Sequence, residues 1–438
     1  MSSESNSQPK LRPALLESMG LKVALPPILG IFLTVFLDML SFGMFIPDLQ
    51  LRVKLLAAEH YGLGIDTHDA RVGALVGMSL AAFSLAQLVT APFLGRLSDR
   101  IGRRRVLLIT CLLSVASYVA YAHSTSLTMV FVSRVLGGIG AANLGVAFAY
   151  IADVTKPEDR AKGLGLVGAA FGLGFILGPF SGTQLLKFGH NEPLLLGYVA
   201  AGLSLVNLLY VWLLLPESLK ESNVEKGHFL SDFKTAVASP GLGLLLAMFF
   251  ALNLGFTNLE TTYFQLLADS RSVFHLGETM AKEYGGYILA MIGVISAFTQ
   301  GFLVRRLMPV YGEVNLIRFC LPILAVTLLS IPFTPLWIPA LIGLLFFGMS
   351  NGLVQPSLSS VISRSAPAAI QGGIFGITQA LGALARCVGP LIGNSLFSLQ
   401  PSYPYILGAS LILIPVLAAW RIRMPEPTGS AEGAVTAH

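Results

Sequence analysis

Four ionisable residues stand inside long apolar stretches of this chain: Asp38 in FLDML, Arg134 in FVSRVLGG, Glu260 in TNLETTYF and Arg386 in LGALARCVGP. A charge at the centre of a bilayer costs at least about 2.5 to 3.5 kcal/mol on the lenient insertion scale, so such residues mark solute or ion pathways, or pairs that lock helices together. Thr34, Asp38, Ser41, Phe45 and Asp48 advance in steps of four and three, a polar stripe down one helical face. Asn253, Thr257, Glu260 and Phe264 make a counterpart, as do Gln379, Ala383, Arg386 and Pro390, and Arg134, Gly138, Ala141 and Gly145. The chemistry these residues offer is proton exchange and solute binding. A carboxylate in a dry cavity can load and release a proton as access alternates, and a nearby arginine changes how readily it does so. Proton coupling is therefore expected at Asp38, Glu260 and Arg134, with Asp38 the favoured carrier and Arg134 its partner. Thr34, Ser41, Asn253, Thr257, Glu260, Gln379 and Arg386 are expected to line a solute cavity. All 7 histidines fall in tails or connecting segments, which leaves the carboxylates as the proton carriers. The four buried charges sum to zero, so they do not fix the sign of the solute.

The elements that must position these groups are membrane helices. The chain has 438 residues, 54% hydrophobic and only 12% charged, a composition outside soluble usage. Twelve apolar runs, from 25 to 47 through to 403 to 421, approach the length needed to cross about 30 Å of hydrocarbon. The expected fold is an all-α, multi-pass integral membrane protein with twelve transmembrane helices. Most of the 28 lysines and arginines lie in the tails and in breaks on the tail side, which puts both termini in the cytoplasm by the positive-inside rule; in a bacterium the membrane would be the inner one. The N-terminal MSSESNSQPKLRP lacks a short apolar core and cleavage site, so it is expected to stay on the protein. Cys111, Cys320 and Cys387 lie in apolar runs without metal-ligand spacing, and packing is their expected role. No metal or cofactor is expected, and no nucleophile–base pair suggests an enzyme.

Residues 95 to 105, GRLSDRIGRRR, concentrate arginine in one short break. The break has no aromatic interleaving and no domain behind it, which argues against nucleic acid. Gly95 would allow close helix approach, Asp99 and Arg100 would pair with helix ends, and Gly102 would permit a tight turn. The chain also repeats itself: 152 to 182 aligns without gaps on 363 to 393, and both segments end in Gly-Pro-x-x-Gly. Two six-helix bundles, 25 to 215 and 241 to 424, follow, joined by a linker at 216 to 240 and flanked by tails at 1 to 24 and 425 to 438, with a site expected at their interface. Arg386 aligns with Phe175, so its charge is not part of the repeat. Gly168, Gly172, Phe175, Pro179 and Gly182 advance by four and three, which places small residues on one packing face.

GRLSDRIGRR resembles the loop signature of the major facilitator superfamily, G-x-L-x-D-R-x-G-R-R. FGLGFILGPFSG resembles the fifth-span signature of its proton-driven antiporters, with Gly174, Gly178, Pro179 and Gly182 as the packing residues. FLDMLSFGMFIPDL and SRVLGGIGAANLG extend the resemblance, which covers about 25 to 421 and points to the tetracycline-exporter branch. NLETTYF, LSSVIS and LGALARCVGPL look closer still to animal tetracycline-transporter-like proteins, regarded as organic-anion carriers. The span 3 acid and span 8 histidine of bacterial tetracycline exporters fall on Ser117 and Ser296, which puts tetracycline itself in doubt. The resemblance implies a monomeric, proton-coupled secondary transporter that exports an amphipathic organic solute or drug by alternating access. An organic-anion carrier using Arg134 and Arg386 is the alternative, and a non-transporting receptor or scaffold on the same fold is a third reading. The arginine loop would be a conformational latch of Gly95, Asp99, Arg100, Gly102, Arg103 and Arg104, with Asp153 and Arg160 as neighbours.

Overall fold

The computed structural model describes residues 26–63, 69–155, 160–219, 229–334, 337–367 and 374–420. The expected tails, and residues 220–228 of the linker at 216 to 240, lie outside the described residues. α1 (Pro27–Met44) and α2 (Ile46–His60) make one span interrupted at Phe45, because Pro47 has no N–H to donate to the carbonyl of Gly43. α3 (Ala70–Ile101) and α4 (Arg103–Ala122) follow. α5 (Leu127–Gly140) and α6 (Leu144–Val154) are joined by a 3₁₀ turn at Ala141–Asn143. α7 (Arg160–Phe188) and α8 (Pro193–Leu213) complete the first part. The second part runs through α9 (Phe229–Ala238), α10 (Pro240–Ala268), α11 (Gly277–Phe298), α12 (Val304–Tyr311), α13 (Glu313–Ser330), α14 (Trp337–Ser365), α15 (Ile374–Leu399) and α16 (Tyr403–Ala419). Ten helical segments among the described residues are long and apolar enough to cross a membrane. α7 and α16 occupy the places where the sequence puts its fifth and twelfth runs.

The outward surface of these helices is itself apolar. Leu85, Val89 and Phe93 recur every fourth residue on α3 and are all exposed, as a helix solvated by lipid requires. Hydrocarbon solvates leucine as well as protein does, so helices must be held together by close packing rather than by escape from water. Gly174, Gly178 and Gly182 of α7 supply that closeness against α1. A Cβ added at Gly178 would stand 2.6 Å from the Cα of Gly43, and one at Gly174 would stand 2.6 Å from the Cβ of Met39. Of the expected packing face, Pro179 and Gly182 meet α1, whereas among the described residues nothing lies within 4 Å of a Cβ at Gly172. The row of residues four apart, 174, 178 and 182, meets α1.

Buried apolar side chains gather into clusters within 31 to 215 and a larger one mostly beyond 236, into which Ile46 and Leu51 of α2 reach. Among the contacts that join the parts are two glycine-lined crossings. Gly73 and Gly77 of α3 lie against Asn394, Ser398 and Pro390 of α15, and Gly286 of α11 lies against Thr183 of α7.

Overpacking the α1–α7 crossing should cost about 1 to 3 kcal/mol, so Gly178→Val is expected to unfold several degrees lower than wild type in detergent, whereas Gly172→Val should shift far less. Equal melting temperatures for the two variants would count against this helix pairing.

Candidate transport site

Asp38 lies midway along α1, 6% exposed. The Asn143 Nδ2 donates to its Oδ2 at 2.6 Å, and the Asn207 Nδ2 donates to its Oδ1 at 3.1 Å. Asn143 reaches it because the helix breaks there: Ala142 leaves helical geometry at ψ 15°, and Asn143 closes the 3₁₀ turn. Asn207 comes from α8 and also donates to the Thr34 carbonyl at 3.4 Å. The carboxylate is thus held by two neutral amides.

Arg134 is not the partner of Asp38, contrary to the sequence expectation. Its guanidinium lies 4.4 Å from the Phe83 ring centroid and 5.8 Å from that of Phe42, and its Nε is buried without a hydrogen-bond partner. Gly137 and Gly138, one turn further along α5, press against α3 at Phe83 and set Arg134 over that ring. The interruption at Ala141–Asn143 then brings an amide to Asp38 where an unbroken helix would have suggested the arginine.

Arg134, Phe42, Phe45 and Leu80 face Glu260 and Thr261 of α10 across a cavity between the two parts of the molecule. Gln50 bridges its wall, donating from Nε2 to the Glu260 carbonyl at 2.8 Å. Glu260 and Arg386 are both half-buried, and each feels the other's charge without a direct ion pair. The crossing that brings them near is tight, since a Cβ on Gly389 of α15 would stand 2.7 Å from the Thr257 methyl.

Of the residues expected to line the solute cavity, Glu260 does so here. Thr34 and Ser41 are wholly buried, with hydroxyls lacking a partner. Thr257 and Asn253 bond to their own helix, Thr257 Oγ1 to the Asn253 carbonyl at 2.8 Å and Asn253 Nδ2 to the Phe249 carbonyl at 2.7 Å. Gln379 is exposed. In this packing the α1 face carrying Thr34 and Ser41 is turned into protein rather than into the cavity. Ser117 donates to the Ser133 carbonyl at 2.8 Å and Ser296 to the Gly348 carbonyl at 3.0 Å, so both serve helix contacts.

The arginine loop closes on Arg103. Its Nη1 donates to Asp99 at 2.5 Å and Ser98 at 2.6 Å, and its Nε donates to Asp153 at 3.2 Å. Glu217 and Ser218, neither anticipated from sequence, complete the cluster. The Glu217 Oε1 accepts from the backbone N–H groups of Arg103 at 2.8 Å and Ser218 at 3.0 Å, a carboxylate placed on the positive end of α4, and Ser218 Oγ donates to Asp153 at 3.1 Å. Gly102 has φ 105°, the left-handed region, and a Cβ there would run into the Glu217 carboxylate. Arg104 caps the end of α8 through the carbonyls of Val211 and Trp212. Arg100 is exposed, and the Arg160 side chain lies outside the described residues. Gly95 does not mediate close helix approach: nothing among the described residues comes within 4 Å of its would-be Cβ, because helical contact here is made by the capped segment after it.

Residues 31–390 match the family described as Major Facilitator Superfamily. The chain is 31% identical to the class C tetracycline resistance protein of Escherichia coli, over 89% of this chain and 95% of that protein. It is 26% identical to Multidrug resistance protein 2 of Bacillus subtilis (strain 168), over 87% of this chain and 91% of that protein. The crystal structure of the human organic anion transporter MFSD10 (TETRAN) superimposes with a TM-score of 0.66 at 27% identity, covering 90% of this chain and 98% of that one.

Glu217→Ala removes the acceptor from the start of α4 and is expected to destabilise the purified protein by about 0.5 to 2 kcal/mol, read as a lower thermal midpoint. An unaltered midpoint would show that water replaces the carboxylate at no cost.

Proposed function

Because the chain belongs to the major facilitator superfamily and is an integral multi-pass membrane transporter of it, we propose that it is a proton-coupled exporter of an amphipathic organic solute working by alternating access. In this reading α7 and α16 also cross the membrane, giving twelve spans in bundles 25 to 215 and 241 to 424. Both termini and the Arg103 cluster then lie on the cytoplasmic side, the cluster acts as a latch, and the monomer is the working unit.

The observation that carries the reading is the surroundings of Asp38. A carboxylate fixed by a cation would hold its charge through the cycle, whereas amides serve either form. Asn143 and Asn207 donate to the carboxylate, and the Asn207 Oδ1, buried without a partner, is an acceptor that the protonated form can use if the amide turns over. Glu260, in the cavity wall on the equivalent helix of the second bundle, then meets solute more directly.

Arg134 favours a second reading, a carrier of organic anions. A guanidinium over an aromatic face beside a cavity, with an unpartnered Nε, is suited to a carboxylate or sulfonate attached to an apolar body. The organic-anion transporter named above has this overall fold, which supports the reading.

Asp38→Asn mimics the permanently protonated carboxyl. In proteoliposomes it should abolish accumulation driven by a pH gradient while sparing exchange of solute for solute, which requires no net proton release. Gradient-driven accumulation by a well-folded Asp38→Asn would move the coupling role to Glu260, and Glu260→Gln should then lose it. Run against anionic, neutral and cationic solutes, the same vesicles separate the two readings, since Arg134→Gln should cost an anion carrier roughly tenfold or more in apparent affinity.

A further inference from the structure

A closely enclosed cluster of charge lies away from Asp38 and from the arginine loop, at the face where α2 and α11 begin. Asp48 is 0% exposed and Lys282, from the other part of the molecule, is 3% exposed. Lys282 Nζ donates to Asp48 Oδ1 at 2.9 Å. Arg52 Nε donates to Asp48 Oδ2 at 2.8 Å, and the Tyr121 hydroxyl donates to the same oxygen at 2.8 Å. Lys282 has a second acidic partner on its own helix, Glu278, at 2.9 Å. The backbone around the pair is equally close: Thr183 Oγ1 donates to the Lys282 carbonyl at 3.0 Å, and no methyl could be added at Gly286 without striking Thr183.

We propose that Asp48 and Lys282 form an ionic lock holding this face of the transporter shut, and that Arg52 and Glu278 are the partners each retains when it opens. The proposal rests on the alternating-access reading, under which α2 and α11 must separate for solute to leave or enter here. Breaking a buried ion pair ordinarily strands two charges, which is why removing one partner of such a pair is so costly. Here the cluster divides into two neutral pairs along the line of separation. Asp48 keeps Arg52 and Lys282 keeps Glu278, each four residues away on its own helix, the spacing at which helical side chains meet. The closed state gains the cross-pair within a dry environment, whereas the open state loses that one contact and leaves no charge unpaired. Two states that differ by one exchangeable contact can interconvert, while a pair without resident substitutes would hold the face closed. Exposed Lys187 and half-buried Glu283 pair at 2.6 Å beside the cluster, where water reaches and screens them, so they add little to the lock.

The test reads opening rather than flux. A single cysteine at Thr183→Cys, with the three native cysteines replaced by alanine, is alkylated by a membrane-impermeant maleimide in proteoliposomes only when the α7–α11 contact parts. Lys282→Gln and Asp48→Asn should each raise the alkylation rate roughly tenfold. The double variant should rise no further than either single one, and Lys282→Arg, which keeps the charge, should stay near the parent rate. Glu278→Gln should slow labelling, because Lys282 then has no partner to fall back on. Variants are compared only as monodisperse protein, so loss of fold does not imitate opening. Unchanged labelling in Lys282→Gln and Asp48→Asn would overturn the lock, as would equal acceleration by Lys282→Arg and Lys282→Gln, which would show packing and not charge at work. Acceleration by Glu278→Gln would overturn the partner exchange. Faster labelling of Lys282→Gln in a protein that exchanges no solute would leave the lock standing and remove the transport reading instead.

Discussion

A charge carried into hydrocarbon must be given an opposite charge, a set of dipoles or an aromatic face, because leaving it unmet costs several kcal/mol, a sizeable share of a protein's whole stability. Each provision appears in this fold, and each leaves its group with a different freedom. Asp38 has dipoles: two amides that do not insist on its ionised form. Arg134 has ring faces, worth about 2 kcal/mol when dry, less than a guanidinium gains from a carboxylate, so it retains capacity for an anion. Asp48 has two cations and a hydroxyl, and is the most firmly held. Arg103, nearer to water, spreads over two carboxylates and a serine.

These provisions depend on helices brought closer than side chains normally permit, and on helices broken at chosen points. The glycines of α7 let α1 lie against it, and α1 carries Asp38. The proline at 47 and the 3₁₀ turn at 141 to 143 free backbone groups that a lipid-exposed helix could not leave unsatisfied, but both breaks are inside protein. Each break changes which residues share a face. Asn143 comes to Asp38 through one of them, and Asp48 lies beyond the other, so the stripe from Thr34 to Asp48 is not one continuous helical face.

Composition made the membrane helices legible, and the cost of burial made Asp38, Arg134, Glu260 and Arg386 stand out in their apolar runs. Their partners were harder to read, because neutral amides carry no such signal. A lone asparagine in SLVNLLY was the available hint for Asn207. Arg134 was expected beside Asp38, but the turn at Ala141–Asn143 brings the Asn143 amide there instead. Lys282 and Arg52 fall outside the apolar runs, which understate helix length: α11 begins at Gly277 and encloses Lys282 within its first turns. Glu217 sat at the edge of a polar break, where nothing in the spacing tied it to a helix start more than a hundred residues earlier. The repeat located the glycine signature but not its face, since steps of four and three fit more than one row of a helix.

The two charged clusters differ in what they connect, and that difference bears on how the molecule moves. Arg103 joins α3, α4 and α6 and is capped by the segment after α8, all on one side of the linker. Such a cluster travels with its own helices and in this arrangement resists their distortion, not their separation from α10 to α16. Asp48 and Lys282 join α2 to α11 across that division. Resistance to parting at that face therefore falls on the Asp48–Lys282 pair and on the glycine contacts around it. The glycine contacts are dispersion forces, each small and falling steeply with distance. The ion pair, inside a low dielectric, reaches further and weakens more gradually as the helices part. Parting at this face then begins against packing and is completed against charge, and the charge term is limited because Arg52 and Glu278 remain in place to receive what the separating pair gives up.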